Sequence, residues 1–119
     1  MQLTNSVAIV TGGASGLGFA TAQAFIAKGA RVALFDLNEE AGAAAAKELG
    51  ESARFYRVNV SDEASVQAGL ADVVASWGGV HIAVNCAGIG SAMRTVGKNG
   101  PHSLEVFNKV IAVNLIGTF

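Results

Sequence analysis

Apolar residues fall in short blocks along the chain, separated by longer stretches with helical spacing. Val7-Ala8-Ile9-Val10 is the first block, β-branched or small throughout, as a strand covered on both faces requires. From Gly16 to about Lys28 the spacing becomes helical, with Ala20 and Ala24 expected to face the sheet and Gly29 expected at the C-cap. Arg31 to Phe35 predicts a second buried strand, ended by Asp36. Asn38 suits an N-cap, and Glu39 and Glu40 fall in the first turn, where negative charge is favoured. An alanine-rich helix follows to Leu49 and stops at Gly50. Arg54 to Val60 predicts a third strand, and either Ser61 or Asp62 caps the next helix. That helix carries an expected apolar stripe of Val66, Leu70, Val73, Val74 and Trp77. Gly78-Gly79 closes it, Val80 to Val84 predicts a fourth strand ending at Asn85, and Gly88 to His102 reads as a long loop. Ser103 caps a last helix that the pattern carries to Phe119.

The order β-α-β-α-β-α-β-α predicts the α/β class. Helical crossovers imply parallel strands with helices on both faces, a three-layer α/β/α arrangement. The expected strand order is 3-2-1-4, a Rossmann-type doubly wound sheet whose switch point lies between strands one and four. Ligands bind at the carboxyl ends of strands at such a point. Residues 1–119 are expected to form the N-terminal, cofactor-binding part of a single domain, truncated inside its last helix.

Composition narrows the picture. A chain 51% hydrophobic and 14% charged is too apolar to be disordered. A formal net charge of -1 leaves no basic surplus for nucleic acid or acidic membranes. Cys86 is the lone cysteine, so no intrachain disulfide forms, which fits a reducing compartment. Met1 to Ser6 lacks the basic and apolar regions of a signal peptide, and no apolar run approaches the roughly 18 residues of a membrane span. A soluble cytoplasmic protein is expected, with no nucleic-acid or membrane partner.

Candidate chemistry gathers where strands end. Thr11 to Gly18 is a glycine-rich turn between a strand and a helix, with Gly12, Gly16 and Gly18 spaced Gly-x-x-x-Gly-x-Gly. Such a turn points backbone N–H groups outward beside the positive end of a helix, and so suits a dinucleotide pyrophosphate. The Ser15 hydroxyl bonds a phosphate there or caps the helix. Asp36 ends the second strand at about the 20-residue spacing of an acid that accepts from ribose hydroxyls. Its charge also repels a 2′-phosphate: two unit charges 4 Å apart interact by about 4 kcal/mol at an effective dielectric near 20. That predicts NAD over NADP. Arg31, the nearest base along the strand, lies roughly 16 Å away at about 3.3 Å per residue.

Asn59-Val60 and Asn85-Cys86-Ala87-Gly88 end strands three and four on the same sheet edge, and the small residues there let a flat cofactor approach. Cys86 has no evident base partner and reads as a small buried thiol rather than a nucleophile. His81 begins a strand away from the site and His102 sits in the loop, so no metal site is expected. Asn114 lies within an apolar face of the last helix, where it ties helix to loop or holds a water near the reacting centre. Phe107, Ile111, Leu115 and Thr118 make one stripe of that helix, and Val106, Val110, Val113 and Gly117 another. A helix apolar on two sides points to a homo-oligomer, a dimer or tetramer, joined through residues 103–119.

Thr11-Gly12-Gly13-Ala14-Ser15-Gly16-Leu17-Gly18, Asp36, Asn85-Cys86-Ala87-Gly88 and Val113-Asn114-Leu115 together resemble the short-chain dehydrogenase/reductase family, over essentially all 119 residues. The resemblance is strongest to the branch that acts on 3-hydroxyacyl-CoA thioesters and hydroxysteroids. It implies an NAD-dependent oxidation of a secondary alcohol, with Ser15, Leu17, Asp36, Val60 and Cys86 contacting NAD. Asn114 matches the helical Asn that supports a proton relay. The family usually has Asp where this chain has Asn59, which implies altered adenine recognition. Its catalytic Ser and Tyr-x-x-x-Lys come from beyond this helix, and the only tyrosine here is Tyr56, followed four residues on by Val60. The 119 residues alone are therefore expected to bind NAD without turnover. The alternative is a non-catalytic dinucleotide-binding sensor, which a downstream Tyr-x-x-x-Lys would exclude. A third reading is an inert piece that folds only as an assembly.

Overall fold

A computed structural model describes all residues, Met1 to Phe119. Strand β1 (Val7–Thr11) is paired on both sides, parallel to β2 (Arg31–Asp36) and to β4 (Ile82–Asn85). Strand β2 pairs in parallel with β3 (Ala53–Arg57), giving the expected order β3-β2-β1-β4. Alternate residues of the two central strands enter opposite layers. Ala8, Val10, Val32 and Leu34 pack with Ala22 of α1 (Gly16–Ile26) and Ala45 of α2 (Glu39–Leu49). Val7, Ile9, Ala33 and Phe35 pack with Val58 and with Val73 of α3 (Glu63–Trp77). Both faces are covered, which is why these strands are apolar at consecutive positions. Full burial of side chains such as Leu34 and Phe35 contributes about 1.5–3 kcal/mol each.

The helix boundaries follow the capping residues. The Asn38 side chain accepts from Ala41 N at 3.0 Å, and Asp62, of the two candidates, accepts from Ala64 N at 3.1 Å. Gly29, Gly50 and Gly78 follow the three crossover helices at positive φ. The faces, by contrast, differ from expectation. Helix α1 buries Gly18 and Ala22, while Ala20 and Ala24 are exposed. A Cβ on Gly18 would collide with Gly12 O, so the helix start is pressed onto its own turn and fixes which face follows. Helix α3 buries Gly69 and Val73 against the sheet, with Val66 and Trp77 half-buried beside them. Leu70 and Val74 of the expected stripe are 37% and 47% exposed. Gly69 lies so close to Val58 and Phe35 that a Cβ would sit 2.7 Å and 3.0 Å from them. A glycine carries no hydrophobic signal, so the apolar period runs through Leu70 while the contact with the sheet is made by Gly69. Arg31 and Arg54 close the far end of this layer over the Trp77 ring, at 5.7 and 5.3 Å.

Other corrections concern the later chain. The third strand ends at Arg57 rather than Val60, although Val58 N still donates to Asp36 O at 3.1 Å. The fourth strand starts at Ile82 because His81 is spent on the sheet edge, its N donating to Val7 O and its Nδ1 accepting from Val7 N, both at 2.9 Å. The Gly88–His102 stretch is not all loop: β5 (Val96–Gly97) and β6 (Gly100–Pro101) pair as a short antiparallel ribbon. The last helix, α4 (Leu104–Ile111), changes to a π turn over Ala112–Ile116.

Candidate functional site

Gly12 and Gly13 leave β1 by donating to one acceptor, Phe35 O, at 2.8 and 3.4 Å. The turn is thus an extension of the β1–β2 pairing. Ala14 N then donates to Asp36 Oδ2 at 3.1 Å, and Asn38 N to Asp36 Oδ1 at 3.2 Å. Asp36 is therefore held in place from both sides, with lone pairs on each oxygen left over. Beyond Ala14, the N–H groups of Ser15, Gly16, Leu17 and Gly18 donate to no group of the chain. They are the orphan donors of the α1 N-terminus.

The three motif glycines have different jobs. A Cβ on Gly12 would lie 2.9 Å from the Cys86–Ala87 backbone, so this glycine lets β4 approach the turn. Gly18 lets the helix sit on the turn. Gly16 has φ +56° with nothing within 4 Å of a Cβ, so it bends the backbone beneath open space. Ser15 makes no cap bond, so of the two roles expected of its hydroxyl, capping is not the one seen, and the group has no partner within the chain. Leu17 is 83% exposed, an apolar side chain standing beside the free donors. Free N–H groups, open space above a positive-φ glycine and an adjacent carboxylate suit a dinucleotide's pyrophosphate and ribose.

A cleft of ≈ 120 Å³ opens next to this turn, lined by Gly12, Asp36, Asn59, Val60, Ala87 and Gly88, with Leu37, Ile89 and Val113 around them. Pockets that take a whole ligand usually exceed about 300 Å³, so this cleft suits one part of a dinucleotide. A larger groove, ≈ 310 Å³, lies between α1 and α2 and is walled by Phe19, Ala41, Ala44, Ala45 and Glu48. It meets the glycine turn only at Ala14 and Ser15 and offers one charged group, so the smaller cleft is the better candidate.

The structure thus brings six sequence-predicted residues, Gly12, Asp36, Asn59, Val60, Ala87 and Gly88, into one cleft, while Ser15, Gly16, Leu17 and Gly18 continue the turn into α1 without lining it, Ser15 facing the larger groove. Asn85 and Cys86 do not line it. The Asn85 side chain is exposed on the edge strand, and Cys86 packs toward the α1–α2 layer, half-buried as a small apolar residue. Asn114 is exposed rather than enclosed. Its Oδ1 accepts from Ile89 N and its Nδ2 donates to Ile89 O, both at 2.8 Å. Of its two foreseen roles, tying helix to loop is the one seen.

Two contributors were missed. Thr11 Oγ1 accepts from Cys86 N and Ala87 N, each at 3.1 Å, and so clamps the end of β4 to the end of β1. A hydroxyl closing an otherwise apolar strand was the available signal. The second is Arg57. Along β2 the nearest base to Asp36 is Arg31, but across the sheet Arg57 stands in register with Asp36, its Nε donating to Leu37 O at 3.4 Å. Parallel pairing, invisible in a single strand, makes Arg57 the nearer cation.

A glycine turn feeding a helix, an acid at the next strand end and a 3-2-1-4 parallel sheet define the class. The sequence matches the short chain dehydrogenase family over residues 6–119, and the chain belongs to that family. Among individual proteins, it is 49% identical to 3-hydroxyacyl-CoA dehydrogenase type-2 of Bos taurus, over 95% of this chain and 44% of that protein. It is 44% identical to the Drosophila melanogaster protein of the same name, over 99% of this chain and 47% of that one. A 3-ketoacyl-(acyl-carrier-protein) reductase from Brucella melitensis, crystallised with NADH, superposes with a TM-score of 0.89 at 32% identity, covering 98% of this chain and 47% of that one. The chain spans about half the length of the relatives it matches. No helix is long and apolar enough to cross a membrane.

Proposed function

We propose that residues 1–119 form the NAD-binding part of a short-chain dehydrogenase that oxidises a secondary alcohol of the 3-hydroxyacyl-CoA or hydroxysteroid kind. The observation that carries the cofactor is Asp36, a carboxylate at the end of β2 held by Ala14 N and Asn38 N beside the free donors of the glycine turn. Ser15 to Gly18 would hold the pyrophosphate of NAD and Asp36 its adenosine ribose. Bound there, NAD would supply the acceptor for the hydride that leaves the carbinol carbon. The bovine and fly relatives, named for 3-hydroxyacyl-CoA, support the substrate class.

Within this reading the chain binds cofactor without moving the substrate's proton. Its one tyrosine, Tyr56, lies within β3, packed edge-on against Phe35 with ring centroids 5.9 Å apart, and is followed four residues on by Val60 rather than Lys. Asn114 acts as a positioning residue through Ile89. The apolar side chains of the 103–119 helix left exposed, Leu104, Phe107, Leu115 and Ile116, support assembly into a dimer or tetramer.

Calorimetric titration with NAD and NADP tests the cofactor reading. Asp36→Ala is expected to shift the affinity ratio toward NADP by at least about tenfold, or about 1.4 kcal/mol. Adding Arg57→Ala is expected to reverse part of that gain, because the in-register guanidinium is the nearest cation for a 2′-phosphate. An unchanged ratio in Asp36→Ala would remove Asp36 from the ribose site.

A further inference from the structure

Two polar side chains line the cleft, Asp36 and Asn59, and the cofactor reading above employs only the first. In the sheet order the glycine turn follows β1, Asp36 ends β2 and Asn59 lies just beyond β3. A dinucleotide with its pyrophosphate on the turn and its ribose at Asp36 therefore carries its base onward to Asn59.

Hydrogen bonding sets what Asn59 can offer that base. Ser61 N donates to Asn59 Oδ1 at 3.0 Å, and Ser61 Oγ donates to the same atom at 2.7 Å. A backbone N–H can only donate, so the amide atom facing it must be the oxygen, and the amide cannot be flipped. Two donors occupy both lone pairs of that oxygen. The backbone is fixed as well, with Asn59 N donating to Ser65 Oγ at 2.9 Å. Asn59 Nδ2 makes no hydrogen bond, and since no unpartnered side-chain nitrogen or oxygen is buried, it is open to solvent. What remains for a ligand is a donor.

We propose that Asn59 reads the base as a donor only, so that the site does not select adenine by its amino group and accepts a 6-oxo purine about equally. This rests on the NAD-site reading. An N–H at this point can reach the ring nitrogen N1 of adenine or the carbonyl oxygen of hypoxanthine. A carboxylate here would keep the same two Ser61 bonds and turn a bare acceptor to the cleft. It would favour the amino group and repel the carbonyl.

The test is calorimetric titration of the protein with NAD and with nicotinamide hypoxanthine dinucleotide, for wild type and Asn59→Asp. Wild type is expected to bind the two within about threefold of each other. Asn59→Asp is expected to prefer NAD by about tenfold, the scale of one hydrogen bond. Repulsion between the added charge and the pyrophosphate is common to both ligands and cancels in the ratio, and circular dichroism checks that the variant folds. A wild-type preference for NAD of about tenfold or more, or a ratio that Asn59→Asp leaves unchanged, overturns the role of Asn59 while the cofactor site stands. If neither dinucleotide binds, the cofactor reading fails and this inference with it.

Discussion

Residues before and after Trp77 form opposite walls of the same cleft, but they are held by different means. Every one of the 19 buried residues lies at or before Val73. On that side the turn is continuous with the core: Gly12 and Gly13 share Phe35 O, and Phe35 is itself 2% exposed. On the other side β4 is an edge strand and α4 buries no residue fully. Its contribution to the cleft, Ala87 to Ile89, hangs on Thr11 and Asn114. One wall is part of the core, and the other joins it through one edge-strand pairing, partly buried side chains and a few polar clamps. Damage to the first should therefore appear as lost stability, and damage to the second as lost order in the cleft.

The largest contrast is expected from Leu34→Ala. It empties a fully buried position in the central strand and should cost about 2–5 kcal/mol, read from the denaturant midpoint. Next comes Thr11→Val, which keeps the shape but strips the acceptor from Ala87 N, while Cys86 N keeps its bond to Thr11 O at 3.2 Å. A loss of about 1–3 kcal/mol is expected, with weakened NAD binding and faster hydrogen exchange at Ala87. If exchange at Ala87 does not change, the clamp is not what holds β4 to the turn. Asn114→Ala should cost about 1 kcal/mol, because its two bonds to Ile89 are exposed to water. The matching readout is the Ile89 amide, which should lose protection while the β1 amides keep theirs. The smallest effect belongs to Leu115→Ala. At 65% exposed it should change monomer stability by no more than about 0.5 kcal/mol. A large loss there would show that an assembly buries this helix, and would erase the contrast between the two walls.

The same division marks what could be read in advance. Strand order, crossover helices and the Asn38 and Asp62 caps follow from signals local to each element. So do the glycine turn and Asp36. The helix faces were harder because Gly18 and Gly69 carry the contact with the sheet, and glycine has no hydrophobicity to register in a periodic count. Asn85 and Cys86 share a motif with Ala87 and Gly88 yet do not line the cleft, because Asn85 still belongs to the edge strand and Cys86 packs on the α1–α2 layer, whereas Ala87 and Gly88 lie beyond the strand end. Arg57 and Thr11 act across strands, and such pairs appear only when the register is known.

The alternation of elements, the 3-2-1-4 sheet and the family are legible in the residues alone. Each of these rests on apolar periodicity and on residues that bend or cap the chain where they stand. The tertiary structure alone decided which partners the polar groups find. Ser61 turned Asn59 into a donor, Ala14 and Asn38 fixed the Asp36 carboxylate, and Ile89 claimed Asn114. A side chain's identity sets how many hydrogen bonds it can make, but only its neighbours in space determine which remain for a ligand. At the Val7–Gly18 turn that remainder is the run of free N–H groups from Ser15 to Gly18.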